Sequence, residues 1–313
     1  MKNTNNQTAE YFELIKKYEG EGKAIAHFNI SNLDQLRAIC EVAQELGEPV
    51  IIGASEGERE YMGVAMVRQM VDEMKKEYDV PIYLNADHTY TFEKVIEVIE
   101  AGYDSVIVDV AKLPYEENVA LVKRCVEWVR DYENKINNDT IFLEKRNAEK
   151  VKVKVKVIVE AELGYIGQSS SLNTSLPEGV SEDNLTTPEQ AHDFVSRTGI
   201  DMFAPAVGNV HGMLVDAPEP RLHIERVKSI RIAAGVPLVL HGASGNTDED
   251  LRDAIDNGVS VIHINTEIRK AFTDGVRAYL MSKLNEIAPY KFGKNGQDEM
   301  KKVVRAKMEL YRK

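Results

Sequence analysis

Three of the seven histidines, His88, His211 and His241, each lie at the end of a short apolar run beside a glycine or a polar residue. A single histidine in such a place most simply serves as a hydrogen-bonding group. Three at one rim fit a catalytic zinc site, where three protein ligands leave a coordination position for substrate. No HExxH and no paired CxxC is present, so the signal is in the placement, not in a local motif. Glu160 and Glu162 end another apolar run, and period two puts both side chains on one face, as a fourth ligand or a support. Asp87 directly precedes His88, and a carboxylate beside a metal is a candidate acid/base. A salt bridge or a helix cap is the plainer use for it. Residues 241–246 (HGASGN), with Asn265 and Thr266 opening a helix at Glu267, have the make-up of an anion site built from backbone N–H groups. Arg269 and Lys270 either add positive charge there or are solvated on the helix surface. His192 and His223, in or beside helices, read as structural.

Short apolar runs alternate with amphipathic stretches, which is what would bring these residues together. Strands are expected at 23–29, 49–54, 81–86, 105–110, 157–161, 201–207, 237–240 and 259–264. Helices are expected at 32–46, 64–77, 91–101, 116–132 and 188–198. Near-continuous apolar strands between helices mean a parallel sheet covered on both faces. Eight such units predict an α/β fold of the (β/α)8 TIM barrel type, in which the C-terminal strand ends share one mouth. His88, His211 and His241 would then stand just past strands three, six and seven. An open doubly wound sheet is the competing fold, but the GxGxxG fingerprint is missing after the first strand. Valine and lysine alternate over 151–157, so an inserted hairpin with one solvated face is expected within 134–156, before strand five. Residues 164–185 read as a long loop, a candidate mobile lid on the catalytic face. A helical tail is expected over about 296–313, packed on the barrel or on a neighbouring subunit.

The 313 residues admit two domains by length, but barrels of this kind reach that size as one, and one domain over 1–313 is expected. Hydrophobic residues are 43% and charged residues 29%, ordinary for a globular chain. A net charge of −12 disfavours broad nucleic-acid or anionic-membrane binding, which need a basic face. No apolar run approaches the ~18 residues of a membrane span. The polar N-terminus lacks a signal core, so a cytoplasmic location is expected. Cys40 and Cys125 lie in helical stretches and read as buried thiols.

A set of segments taken together resembles the class II, zinc-dependent ketose-bisphosphate aldolases, which include fructose- and tagatose-bisphosphate aldolases. They are HFNISNLDQ from His27, ASEGE from Ala54, NADHT from Asn85, LPYEEN from Leu113, VEAELG from Val159, APAVGNVHG from Ala204, VPLVLHGASG from Val236 and INTEIRKAF from Ile264. The resemblance implies a (β/α)8 barrel, a Zn2+ cofactor, a monovalent cation (Na+ or K+) and a homodimer or homotetramer. It implies reversible aldol cleavage of a phosphorylated ketose resembling fructose 1,6-bisphosphate, giving dihydroxyacetone phosphate and an aldehyde such as glyceraldehyde 3-phosphate. His88, His211 and His241 match the zinc ligands, Glu162 an alternative ligand, and Asp87 the acid/base for the C4 hydroxyl proton. Gly212, Gly242 and Ser244 match residues around the phosphate and the monovalent cation. Asn265 and Thr266 match the segment holding the ketose-side phosphate, and Asn29 and Ser55 match polar residues facing substrate.

Departures from the family pattern cluster at the substrate. Thr89 replaces a glycine after the first zinc histidine, and Val110 and Ala111 replace a glycine–serine pair. Ser170 stands near the place of a proton-shuttling glutamate. Val215 stands for a phosphate-contacting lysine, His263 for an asparagine that holds the ketose oxygens, and Tyr290 for an arginine that reaches a neighbouring subunit. Lys112, His263 or Glu182 are the candidates to cover these roles. The departures imply changed specificity, with a zinc-binding barrel lacking aldolase activity as the alternative.

Overall fold

The structure is a computed structural model that describes residues 8–138, 155–167, 171–176, 184–215 and 217–313. In chain order the first half runs α1 (Thr8–Gly20), β1 (Ile25–Asn29), α2 (Leu33–Leu46), β2 (Val50–Ala54), α3 (Glu56–Met62), α4 (Val64–Glu77), β3 (Ile82–Thr89), α5 (Phe92–Glu100), β4 (Ser105–Val108) and α6 (Tyr115–Asn138). The second half runs β5 (Ile158–Leu163), β6 (Leu172–Asn173), α7 (Pro188–Thr198), β7 (Met202–Pro205), β8 (Met213–Leu214), α8 (Ile224–Ala234), β9 (Leu238–Leu240), α9 (Asp248–Asp256), β10 (Val259–Ile264), α10 (Thr266–Ser282) and α11 (Pro289–Tyr311). Eight strands close a parallel barrel in the order β1-β10-β9-β7-β5-β4-β3-β2. β6 and β8 form a separate two-stranded parallel ladder.

Period two explains the barrel interior. Ile25, Ile51, Tyr83, Ile158, Met202, Val239 and Val261 form one buried apolar cluster at the N-terminal end. Two residues further along the same strands stand His27, Asn85, Glu160, His241 and His263, all buried. These five strands thus pass from apolar at their start to polar at their C-terminal end. The outward residues, such as Ala26, Phe28, Ile52, Leu84 and Val159, join the larger cluster beneath the helices.

α1, absent from the sequence expectation, closes the barrel's apolar end. Tyr11 and Ile15 are fully buried in the interior cluster, and the Tyr11 ring stacks on Tyr83 at 4.0 Å. Burial of side chains of this size stabilises by about 1.5–3 kcal/mol each. The C-terminal helix α11 is longer than expected, and α2 and α10 lie against it. Lys301 pairs with Glu41, Arg305 with Glu45, and Lys307 with Glu267 at 3.2 Å. The tail is therefore a packing helix.

The expected hairpin falls mostly outside the described residues. Residues 155–157 are described and form no strand. Lys156 does not simply face solvent as its alternation predicts, since its ammonium lies 2.7 Å from Asp201. Val155 exchanges two 2.8 Å hydrogen bonds with the Asn137 side chain. The expected loop over 164–185 is tied down in its described part. Leu172 pairs with Met213, and Asn173 with Leu214. Ser170 and Glu182 lie outside the described residues.

Candidate active site

The sequence places His88 just past strand three; the structure places it within β3. Simple alternation would send Asp87 and His88 to opposite faces. β3 instead carries a bulge: Ala86 pairs with Val106 and Thr89 with Val108, so two residues oppose one. His88 has φ 41°, the only positive value at a non-glycine among the described residues. That left-handed conformation costs L-residues of order 1–3 kcal/mol and is typical of functional sites. It brings His88 Nε2 within 3.6 Å of Asp87 Oδ1 at the barrel mouth.

His211 and His241 are brought together by loops after β7 and β9. The His211 N–H donates to Ile166 O at 2.8 Å, and Asn209 Nδ2 donates to His241 O at 2.9 Å. Gly242 has φ 58°, and a Cβ there would strike the Val210 carbonyl and the His211 nitrogen. Only glycine lets the two loops meet so closely.

The ligating atoms of His88, Glu162, His211 and His241 all lie within 4.8 Å of one another. His88 and His241 are each held by carboxylates. His88 Nδ1 meets Asp109 Oδ2 at 2.8 Å, which leaves Nε2 facing the cluster. His241 meets Glu160 at 2.7 Å through Nε2 and Glu162 at 2.9 Å through Nδ1. The Asp109 carboxylate thus fixes the His88 ring and its tautomer, while His241 has a carboxylate at each ring nitrogen.

Burial opposes charge on His88, but Asp87 and Asp109 raise its pKa to about 9. Burial likewise opposes charge on His241, and Glu160 and Glu162 push its pKa well above normal. Burial, then His88 and His241, lower His211 to about 3. Burial also opposes ionisation of Asp87, but His88 and then His263 hold its pKa well below the usual carboxylate range. Four buried carboxylates, Asp87, Asp109, Glu160 and Glu162, thus surround three imidazoles. Three nitrogen donors plus one carboxylate is a donor set suited to zinc, and the surplus negative charge suits a divalent cation. Glu160 Oε2 is buried without a partner. The residues present fit the metal.

A second close group, His27, Asp87 and His263, fits a metal poorly. The His27 and His263 rings stack at 3.5 Å with 4° between their planes. Imidazole lone pairs lie in the ring plane, so stacked rings do not converge on one ion.

Asn29, Asp87, His88, His211, Gly212, Gly242, Ser244, His263, Asn265 and Thr266 line one pocket at this mouth. Two expected substrate residues stand apart from that lining. Ser55 caps α3, and its hydroxyl donates to Glu58 Oε2 at 2.8 Å. The Arg269 guanidinium pairs with Glu58 instead of standing free for an anion. The loop after β9 is also partly engaged, since the Gly245 N–H donates to Glu267 Oε1 at 2.7 Å.

Comparison with known proteins decides what such a mouth belongs to. The family model described as fructose-bisphosphate aldolase class II matches residues 9–137 and 145–313. The chain belongs to the class II fructose-bisphosphate aldolase family. A fructose-bisphosphate aldolase of Geobacillus stearothermophilus is 37% identical over 293 residues, covering 92% of this chain and 91% of that protein. The YdjI aldolase of Escherichia coli K12 superposes with TM-score 0.73 at 27% identity, over 96% of each chain. A putative fructose-1,6-bisphosphate aldolase of Coccidioides immitis gives TM-score 0.74 at 26% identity, over 98% of this chain and 96% of that one. This aldolase is therefore a lyase built on a TIM barrel. Among its described residues no helix is long and apolar enough to cross a membrane.

Sequence reasoning passed over Asp109 and Glu58. Asp109 follows β4, and its one signal was an acid ending an apolar run. Glu58 accepts from Asn29 Nδ2 at 2.9 Å and from the Ser55 N–H at 2.7 Å, so it organises the residues expected to face substrate.

Proposed function

We propose that this aldolase uses zinc to cleave a phosphorylated ketose, reversibly, to dihydroxyacetone phosphate and an aldehyde such as glyceraldehyde 3-phosphate. The observation that carries this reading is the convergence of His88, His211, His241 and Glu162 within 4.8 Å, beside Asp87. The three histidines hold the metal, and Glu162 is its alternative ligand. When bound, zinc supplies Lewis-acid polarisation of the ketose carbonyl.

Asp87 takes the C4 hydroxyl proton as the C3–C4 bond breaks, and returns it in the condensation direction. Asn29 Nδ2 donates to Asp87 Oδ2 at 2.8 Å and holds that carboxylate in the pocket. Gly212, Gly242, Ser244, Asn265 and Thr266 offer the substrate phosphate backbone N–H and hydroxyl donors, with a Na+ or K+ ion nearby. Phosphate binding away from the reacting carbons holds them in place. The chain works as one barrel domain over 1–313, as a homodimer or homotetramer in the cytoplasm, in carbohydrate metabolism.

A second reading, changed ketose specificity, is favoured by the pocket lining, which among the described residues includes no lysine or arginine. Val215 is 46% exposed where the family has a lysine, Tyr290 is 75% exposed where it has an arginine, and Arg269 is paired with Glu58. The test is cleavage of fructose 1,6-bisphosphate, tagatose 1,6-bisphosphate and ketose monophosphates, with and without chelator. Chelator-sensitive cleavage of any of them supports the aldolase reading, and the preferred one names the substrate. Zinc-loaded protein that cleaves none of them would overturn it.

A further inference from the structure

The His27–His263 stack is a buried cluster among the described residues of the barrel mouth that the proposed metal ligation and phosphate binding do not use. Its surroundings are built to hold it. His27 lies against Gly53 on β2, where any Cβ would overlap its ring. His27 Nε2 stands 3.3 Å from Asn85 Oδ1, and Asn85 Nδ2 donates to Ser105 Oγ at 2.7 Å. The pinned ring is a flat platform. His263 lies on it at 3.5 Å, nearly parallel, with its Nδ1 3.5 Å from Asp87 Oδ1.

The other oxygen of Asp87 already has a firm partner, the Asn29 amide at 2.8 Å. Oδ1 is buried and makes no well-formed hydrogen bond. The two ring nitrogens within 4 Å of it are His88 Nε2 at 3.6 Å and His263 Nδ1 at 3.5 Å. His88 Nδ1 is committed to Asp109, so Nε2 is the atom His88 can give to a metal. A nitrogen that ligates a metal has no proton to donate. His263 is then the ring left to hold Oδ1, through a proton on Nδ1.

We infer that His263, carried on the His27 platform, is a positioning residue that fixes the orientation of the Asp87 carboxylate toward the substrate hydroxyl. The inference rests on the proposed role of Asp87. It gives the His27 and His263 pair a joint function: removing the platform or the Nδ1 donor frees the carboxylate to rotate about its last bond. The pocket stays intact, because His263 does not hold the metal.

Two structures and a kinetic series test it. Zinc-loaded crystals of the wild type and of His263→Phe report the carboxylate directly. Phe keeps the stack and removes the donor. The expected wild-type distance from Nδ1 to Oδ1 is about 3 Å, an ordinary hydrogen bond, with a rotated carboxylate in the variant. In cleavage of the preferred ketose phosphate, His263→Phe should lower kcat by about 10–100-fold with KM within about threefold, the signature of misplaced chemistry, not lost binding. His263→Asn keeps a donor at the Nδ position and should restore kcat to within about tenfold of wild type. Zinc content and melting temperature of each variant show whether the site has folded. An unmoved Asp87 in His263→Phe, or kcat within about twofold of wild type, overturns the inference. Asp87→Asn is the separate control, since activity surviving that change would overturn the aldolase mechanism itself. If the wild type cleaves no ketose phosphate, the paired crystal structures alone decide the positioning role.

Discussion

Asp109 Oδ2 lies 2.8 Å from His88 Nδ1, and it reaches that atom only because the bulge in β3 turns His88 into the barrel mouth. The contact settles which nitrogen of His88 faces Glu162, His211 and His241. It makes Asp109 a support of the proposed metal site.

Asp109→Ala should therefore weaken zinc binding by about 10–100-fold, the usual effect of losing a carboxylate behind a metal-bound histidine. Competition against a chromophoric chelator measures it. An unchanged affinity would mean that the β3 bulge alone orients His88.

Gly242→Ala should disrupt the site with little change to the hydrophobic core. Its new Cβ would strike the Val210 carbonyl, and its φ of 58° is unfavourable for alanine. The expected result is loss of zinc binding with a modest fall in melting temperature, read by metal analysis and thermal denaturation.

Asp104 anchors the outside of the barrel between α4 and β3. Burial raises its pKa, but Lys75 at 3.0 Å and Arg68 at 3.3 Å outweigh burial and leave it lowered. A carboxyl with a lowered folded pKa contributes stability above its unfolded pKa, and that stability is lost as pH falls through the folded value. Asp104→Asn should destabilise by about 3–5 kcal/mol at neutral pH, because Lys75 stays buried without its counter-charge. The gap between variant and wild type should narrow at acid pH, in urea melts at pH 7 and pH 3.

Tyr11→Ala should cost about 3–5 kcal/mol, since it opens a cavity at the barrel floor beneath Tyr83. Equilibrium unfolding measures the loss. Catalytic parameters of the folded fraction should stay near wild type, because the floor and the mouth are at opposite ends of the barrel.

Which of these features the sequence could reveal follows from their physical origin. The eight barrel strands were legible because buried parallel strands are apolar runs, and β10 matches its expected limits of 259–264. So were α4 at 64–77 and α7 at 188–198, through their amphipathic pattern. The histidine triad was legible as strand-end residues. The bulge at His88 was not, because a single left-handed residue leaves no periodic trace. α1 was missed because its role depends on Tyr11 meeting Tyr83, a contact that local sequence does not encode. Arg269 was read from its place as added charge and Ser55 by resemblance, while Glu58, distant from Arg269 in sequence, engages both.

The central claim is that His88, His211, His241 and Glu162 hold a metal beside Asp87, and zinc analysis of purified, dialysed protein tests it most directly. The account predicts about one zinc per wild-type chain, and loss of that zinc in a folded His211→Ala variant together with all aldol cleavage. Full zinc occupancy in His211→Ala, or a wild type that binds no zinc when supplied with it, would contradict the account.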